Sequence, residues 1–256
     1  MIANLHTHTS RCNHAQGREV DYVQAALDRG FEILGFSDHT PYFFPGEYYS
    51  SFRMRPEQLD DYCDTVRQLQ RQYGSRIQIP LGLELEYYPD LIGEVLPFIR
   101  DHGIEYLLLG QHFVGNEMGE HYSGAPTGDE SILRRYCDQS IDAMQTGLFT
   151  YFAHPDLIKF VGSDHVYRRE LRRICREAKD CGMPLEINML GALTGRNYPD
   201  LRFWELAAEE DCPVIIGCDA HAPEQLRSEK LEEQLVQMIR KLGLTLLENT
   251  PLVGIG

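Results

Sequence analysis

Several features that define other protein classes are missing from this chain of 256 residues. No apolar run approaches the ~20 residues that a membrane-spanning helix needs. The seven cysteines are an odd number and include no Cys-x-x-Cys pair, so we expect neither a disulfide framework nor a thiolate zinc site. No basic segment followed by an apolar core opens the sequence, and we therefore expect a cytoplasmic protein.

Positive charge is also scarce, with 24 Lys and Arg against 39 Asp and Glu and a formal net charge of −15. Nucleic-acid binding depends on basic patches that neutralise phosphates. We therefore expect neither nucleic acid nor a membrane as a partner. A small anionic substrate stays possible, because bound divalent cations reverse the charge locally. The oligomeric state is not indicated by the sequence.

Short β-prone runs alternate with longer amphipathic stretches along the whole chain. We predict strands near 2–7, 32–38, 77–84, 105–111, 149–154, 184–188 and 213–218. We predict helices near 19–30, 56–73, 90–102, 129–146, 165–182, 200–211 and 223–242, with residues 242–247 as an eighth strand or a closing tail. This alternation indicates an α/β fold with a parallel sheet, and about seven units favour a barrel over an open sheet. No linker divides the chain, so we expect one domain over 1–256.

Pairs of potential metal ligands lie near both ends of the sequence. His6 and His8 follow the first predicted strand, and Asp219 and His221 follow the last. Residues two apart in a strand point to the same face, so each pair can converge on one point. A chain that closes on itself would bring the two pairs to one rim.

Other potential ligands follow the intervening strands or lie in the first loop, namely His14, His39, Glu84, His112 and His154. Each alone is more often a structural residue, a helix cap or an ion-pair partner. Independent structural histidines have no reason to choose the same rim on nearly every strand, so the set predicts a metal centre. Imidazole and carboxylate ligands suit Zn²⁺, Fe²⁺ or Mn²⁺. Nine ligands are too many for one ion, which indicates two or three divalent ions sharing a carboxylate.

Six motifs carry a family resemblance: His6-Thr7-His8, Ser37-Asp38-His39, Gly82-Leu83-Glu84, His112, His154 and Asp219-Ala220-His221. Together they resemble the polymerase-and-histidinol-phosphatase (PHP) superfamily over essentially the whole chain. The run from His6 to His14 and the run Ser37-Asp38-His39-Thr40-Pro41 are similar to its histidinol-phosphatase branch. The resemblance implies a distorted (β/α)₇ barrel with a trinuclear metal centre.

The same resemblance implies how the ligands divide among three ions. The first would take His6, His8, Glu84 and Asp219. The second would share Glu84 and add His112 and His154, and the third would take His14, His39 and His221. One departure is Gln111, where the family suggests a small residue or Val. It predicts a change in the surroundings of His112 or in the substrate pocket.

The resemblance also implies hydrolysis of L-histidinol phosphate to L-histidinol and phosphate, a step of histidine biosynthesis. Asp219 and His221 are our candidates for catalytic roles beside the ions, although the acid that protonates the leaving group is not assigned. Candidate phosphate-binding residues are Lys159, Arg196 and Arg53. Acidic residues could meet the cationic leaving group, namely Glu86, Glu117, Asp156 and Glu186. Glu186 could instead support one of the metal ligands. The long loops 40–56 and 115–126 are expected to carry binding function.

Two alternative functions stay open at this point. One is a phosphoesterase of the same family acting on a nucleotide, sugar or cyclic phosphate. The other is a metal-binding accessory domain without turnover, which predicts missing ligands or an attached polymerase domain. All nine ligand positions hold competent residues, so the sequence favours an enzyme.

Overall fold

The computed structural model describes residues 1–119 and 121–255. Its strands are β1 Ala3–Asn4, β2 Ile33–Leu34, β3 Phe36–His39, β4 Leu81–Leu85, β5 Tyr106–Leu109, β6 Phe113–Val114, β7 His121–Tyr122, β8 Tyr151–Phe152, β9 Leu185–Asn188, β10 Pro213–Gly217 and β11 Thr245–Leu246. Its α-helices are α1 Glu19–Asp28, α2 Leu59–Tyr73, α3 Ile92–Asp101, α4 Glu130–Gln145, α5 Asp164–Cys181, α6 Met189–Thr194, α7 Leu201–Glu209 and α8 Glu229–Leu242. Short 3₁₀ helices cover Ser10–Cys12, Pro56–Gln58 and Pro223–Arg227.

Seven strands form one sheet in the order β11-β10-β9-β8-β5-β4-β3, and every neighbouring pair is parallel. Helices connect most consecutive strands of this sheet, as parallel crossovers require. A parallel sheet presents the carboxyl ends of all its strands at the same rim. The predicted α/β fold with a parallel sheet is therefore confirmed.

The N-terminal segment contacts both strand β3 and the chain just beyond strand β10. Strand β1 pairs with β2 in parallel, and Ser37 N donates to Thr7 O at 2.8 Å. On the other side, Thr7 forms a parallel bridge with Ala220, just beyond β10. Within the described residues the paired strands form no closed ring. Closure at the rim is made by these few backbone hydrogen bonds, where the family resemblance implied a distorted barrel.

The predicted helices agree with the observed ones to within a few residues, with one exception. The stretch predicted as a single helix over 223–242 is a 3₁₀ helix, a break at Ser228 and then α8. Three elements were not predicted: the 3₁₀ helix Ser10–Cys12, the short helix α6 and the antiparallel hairpin of β6 and β7. Residues 242–247 do supply an eighth strand, since β11 pairs with β10.

Apolar residues on the inner faces of the helices form the core against the sheet. Helix α5 shows the pattern, because Tyr167, Leu171, Ile174 and Ala178 are spaced three or four apart and all are buried. Such spacing places side chains on one helical face.

Among the described residues, we find no helix whose length and hydropathy would let it cross a bilayer.

Candidate metal centre

The two ends of the chain meet through the bridge between Thr7 and Ala220. His8 N donates to Ala220 O at 2.9 Å, and Ala220 N donates to His6 O at 3.2 Å. Residues on either side of a bridged residue point to the opposite face from it. The bridge therefore places the pair that flanks Thr7 next to the pair that flanks Ala220.

Side-chain distances show that these two pairs converge. Oδ1 of Asp219 lies 3.4 Å from His6 Nε2 and 3.1 Å from His8 Nε2. His8 Nε2 is also 3.5 Å from Glu84 Oε2. All four side chains are buried. The four residues grouped around one ion by the family resemblance thus surround one point.

Glu84 lies at the centre of the larger cluster. Its Oε1 is 2.9 Å from His154 Nε2 and 3.6 Å from His112 Nε2, and its Oε2 is 3.0 Å from His39 Nδ1. Space for this carboxylate depends on Gly110 of the neighbouring chain segment, where a Cβ would lie 2.6 Å from Glu84 Cδ. A side chain at position 110 is therefore incompatible with the present position of Glu84.

The outer part of the cluster is formed by histidines that are less buried. His14 Nε2 and His221 Nε2 are 2.9 Å apart, and ligand atoms of both lie within 4.8 Å of one on His39. Two imidazole nitrogens this close to each other need a shared cation or a proton between them. The structure thus brings all nine predicted ligands into one continuous cluster.

Unpartnered polar atoms test whether the cluster suits metal ions. Buried polar groups in proteins are normally hydrogen bonded. In the described residues, buried side-chain atoms without a hydrogen-bond partner include His6 Nε2, His8 Nδ1 and Nε2, His39 Nδ1, Glu84 Oε2, His154 Nδ1 and Asp219 Oδ1. These imidazole nitrogens and carboxylate oxygens are the donors that bind divalent transition metals. The donor set therefore fits such ions.

A second group of acceptors fixes how the histidine rings face the cluster. His6 Nδ1 lies 2.8 Å from Glu186 Oε1, and His112 Nδ1 lies 2.9 Å from Glu86 Oε1. Backbone oxygens do the same for the outer rings, because His14 Nδ1 and His221 Nδ1 each contact a carbonyl two residues earlier. Bonds of this kind leave Nε2 as the coordinating nitrogen.

The protonation states in the cluster follow from burial and from mutual charge. Burial alone would raise the pKa of Glu84 and of Asp219, but the surrounding histidines hold both well below their usual values. Burial lowers the pKa of His39 to about 4. Burial also opposes a charge on His6, yet Glu186 and Asp219 raise its pKa well above the usual value. Ionised carboxylates are ready to bind a cation, which would replace the proton on His6.

Two of the predicted ligands have strained backbones. His154 has φ of 37° and Asp219 has φ of 49°, in the left-handed region that residues with a Cβ rarely adopt. Strain of this kind persists only where the surrounding structure imposes it, and it concentrates at functional sites. Both residues follow the carboxyl end of a sheet strand, where the chain must turn sharply to aim its side chain inward.

A cavity of about 250 Å³ opens onto the cluster. Six of the nine predicted ligands line it, together with Phe52, Phe113, Tyr122, Arg196 and Tyr198. The sequence did not single out the four aromatic residues. The aromatic content of the 40–56 loop was a signal for Phe52, whereas Phe113 and Tyr122 enter the cavity through the unpredicted hairpin.

The three predicted phosphate-binding residues differ in position. Arg196 lines the cavity and donates from Nη1 to Tyr198 Oη at 2.7 Å. Lys159 is exposed and is not part of the cavity wall. Arg53 is fully buried, and its N–H groups donate to two carboxylates and a carbonyl. The structure therefore argues against Lys159 and Arg53 as phosphate ligands and leaves Arg196 as the candidate.

The acidic residues suggested as partners of the leaving group are not among the residues that line the cavity. Glu86 and Glu186 stand behind His112 and His6, and Glu117 pairs with Arg53. Asp156 is buried, where it accepts from Trp204 Nε1 at 2.9 Å. Gln111 is buried as well and bonds to the backbone of residues 87 and 113. It therefore supports the local chain and does not reach the pocket.

The PHP domain family model matches residues 4–189. A probable histidinol-phosphatase of Deinococcus radiodurans is 30% identical over 233 residues, which are 87% of this chain and 87% of that protein. The chain therefore belongs to the PHP domain family. Asp219 and His221 lie beyond the matched segment, and the Thr7 to Ala220 bridge brings them to the ligands within it.

Two further comparisons concern the histidinol-phosphatase branch. A probable histidinol-phosphatase of Schizosaccharomyces pombe is 27% identical, covering 88% of this chain and 82% of that one. The histidinol phosphate phosphatase of Lactococcus lactis, solved with zinc, L-histidinol and phosphate, superimposes with a TM-score of 0.71 at 21% identity. That alignment covers 96% of this chain and 95% of the other, so the fold is shared along nearly its whole length.

Proposed function

We propose that this protein is a metal-dependent phosphatase that hydrolyses L-histidinol phosphate to L-histidinol and phosphate. The observation that carries the proposal is the cluster of nine ligands, with unpartnered buried donor atoms, at the base of a cavity that Arg196 also lines. The names of the relatives from D. radiodurans and S. pombe support the choice of substrate. The L-histidinol and phosphate bound in the L. lactis structure support it as well.

The cluster divides into three groups of ligands that could each hold an ion. The first group is His6, His8, Glu84 and Asp219; the second is Glu84, His112 and His154; the third is His14, His39 and His221. Divalent ions in such a cluster would neutralise phosphate oxygens and lower the pKa of water. We propose two or three ions, with zinc, iron or manganese as the candidates.

The remaining catalytic work falls to side chains of the cavity. Arg196 can donate to a phosphate oxygen from its guanidinium, which Tyr198 holds in place. Oδ2 of Asp219 accepts from Asn188 Nδ2 at 3.2 Å, while Oδ1 faces the cluster without a hydrogen bond. The bond from Asn188 therefore directs Oδ1 towards the first group of ligands, and Asp219, with His221 beside it, would act on the reaction through the ions that they hold.

Aromatic side chains shape the part of the cavity beyond the phosphate. Phe52 and Phe113 stack at 5.9 Å between ring centroids with 18° between their planes, and Tyr122 packs against Phe113 at 5.4 Å. Flat aromatic walls favour a ring that can stack on them. The imidazole of histidinol fits that requirement, whereas a sugar phosphate offers no aromatic face.

The decisive experiment measures phosphate release from L-histidinol phosphate and from a panel of nucleotide, sugar and cyclic phosphates. We expect high kcat/KM on histidinol phosphate alone, with loss of activity in the His154→Ala variant. Comparable turnover across the panel would reject the substrate while retaining the phosphatase. No turnover by protein whose metal content is verified would reject the enzymatic function.

A further inference from the structure

Arg53 occupies an unusual position for a charged residue of a long loop. It lies in the connection between β3 and α2, yet its side chain is 0% exposed. Buried charges are tolerated only when they are paired and hydrogen bonded. Arg53 meets this condition fully, because each of its five N–H groups donates to an oxygen.

Those five donors join three separate parts of the chain. Nε and Nη2 donate to Glu117 at 3.0 Å each, and Nη1 and Nη2 donate to Glu86 at 3.1 and 3.0 Å. The fifth bond, from Nη1, goes to the carbonyl of Thr40 at 2.6 Å. Glu86 follows β4, and Glu117 lies in the turn between β6 and β7. One guanidinium thus ties the 40–56 loop to the hairpin and to the sheet.

This ion cluster touches the candidate metal centre through Glu86. The same Oε1 that accepts from Arg53 lies 2.9 Å from Nδ1 of His112, whose Nε2 faces Glu84. Arg53 fixes the position of Glu86, and Glu86 fixes the ring of His112. The orientation of one proposed metal ligand therefore depends on a residue that does not itself face the metal centre.

The cluster also supports the aromatic wall of the cavity. The guanidinium carbon of Arg53 lies 4.6 Å from the ring centroid of Phe52, the preceding residue. Phe52 stacks on Phe113 at the start of the hairpin that carries Glu117. The two loops therefore contact each other twice, through an ion pair in the interior and an aromatic pair at the cavity.

We infer that Arg53 is a positioning residue that clamps the 40–56 loop to the β6–β7 hairpin and, through Glu86, orients His112. Its role for His112 rests on the proposed metal binding, whereas its role in joining the loops does not. The sequence made Arg53 a candidate for contact with phosphate. Its complete burial and its five intramolecular bonds assign it to the support of the site instead.

Two conservative variants separate the two roles. Arg53→Lys keeps the charge but cannot reproduce a planar fork with five donors. Glu117→Gln weakens the bond between the loops and leaves the contact between Glu86 and His112 in place. Arg55→Lys is a matched control, because Arg55 is exposed on the same loop and stacks on Tyr49 outside the cluster.

The readouts are zinc affinity, hydrogen exchange of backbone amides, and kcat and KM separately. For Arg53→Lys we expect zinc affinity to fall by about tenfold or more, as when partners of metal-binding histidines are removed. We also expect faster exchange in residues 41–55 and 113–119. For Glu117→Gln we expect the faster exchange and a higher KM with unchanged zinc affinity. Arg55→Lys should match the wild type in every measurement.

Three outcomes would overturn the inference. Wild-type zinc affinity and exchange in Arg53→Lys would show that the fork is dispensable. Faster exchange spread evenly over the sheet strands would show a general structural role with no specific clamp. Loss of zinc affinity in Glu117→Gln equal to that in Arg53→Lys would remove the proposed route through Glu86. Because zinc affinity and exchange need no substrate, these results stand even if histidinol phosphate is not hydrolysed.

Discussion

Gly110 offers the sharpest test of how the metal centre is packed. A Cβ at this position would overlap Oε1 of Glu84 and would lie 2.6 Å from its Cδ, whereas ordinary contact begins at 3.4 Å. The carboxylate must therefore move by at least about 0.8 Å. Gly110 has no positive φ that would strain an alanine backbone. The effect of Gly110→Ala is therefore steric and falls on the carboxylate that contacts five of the predicted histidine ligands.

The expected magnitude follows from that displacement. Shifts of about 1 Å in a catalytic group can cost about 10²-fold in rate. Overpacking a buried site costs about 1–3 kcal/mol of stability. In a protein of this size each kcal/mol corresponds to about 2–4 °C in Tm. We expect Gly110→Ala to fold, to melt a few degrees lower and to lose both metal and most phosphatase activity.

The assay combines metal analysis of dialysed protein, a thermal melt and phosphate release at saturating zinc. Gly93→Ala is the control, because Gly93 lies in α3 and a Cβ there meets no atom within 4 Å. That variant should gain up to about 1 kcal/mol from helix propensity and keep full metal content. If Gly110→Ala bound as many ions, as tightly, as the wild type, the central position of Glu84 would be refuted.

Three further predictions use different parts of the structure. Chelation of the metal, or the His154→Ala substitution, should lower phosphatase activity by about 100-fold or more, because several kcal/mol of charge stabilisation are lost. Added zinc should restore the activity of the chelated wild type but not that of the variant. Arg196→Ala should raise KM for a phosphate ester and leave the zinc content unchanged, while Lys159→Ala should change neither KM nor the zinc content. Equal KM values for the two variants would contradict the choice of Arg196 over Lys159. In a thiol titration of the native protein, Cys181 should react first because it is exposed and the other six cysteines are buried. Burial and Glu177 raise the pKa of its thiol to about 11, so this reaction should be slow near pH 8, and all seven should react in denaturant.

The sequence was most informative where chemistry depends on local spacing. His6 and His8 flank one residue of an extended segment, and Asp219 and His221 flank another, so strand geometry alone predicts that each pair converges. That the two pairs meet could be expected only from closure of the sheet. The structure supplies the reason in the bridge between Thr7 and Ala220, which a short segment forms without a continuous strand ladder.

Glu86 and Glu186 show how the role of a carboxylate depends on packing. Both lie at or near strand ends, and both were candidates to meet the cationic leaving group, with support of a metal ligand as the alternative for Glu186. In the structure they contact the Nδ1 atoms of His112 and His6, on the side of each ring that faces away from the metal centre. Gly217 confirms how closely this packing is fitted, since a Cβ there would lie 2.9 Å from Cγ of Glu186. Which side of a histidine a carboxylate approaches depends on packing across the sheet, and sequence spacing carries no such information.

Arg53 shows a second limit of sequence-based interpretation. An arginine in a long, aromatic loop is normally solvated or free to reach a ligand, and nothing within the loop indicates otherwise. Its burial depends on Glu86 and on Glu117, which follow it by 33 and 64 positions. Neither carboxylate could remain buried there without the guanidinium, and the guanidinium could not be buried without them. The three charges therefore specify one another's positions only after the sheet and the hairpin have formed, which is why a clamp built from them is visible in the fold and absent from any local motif.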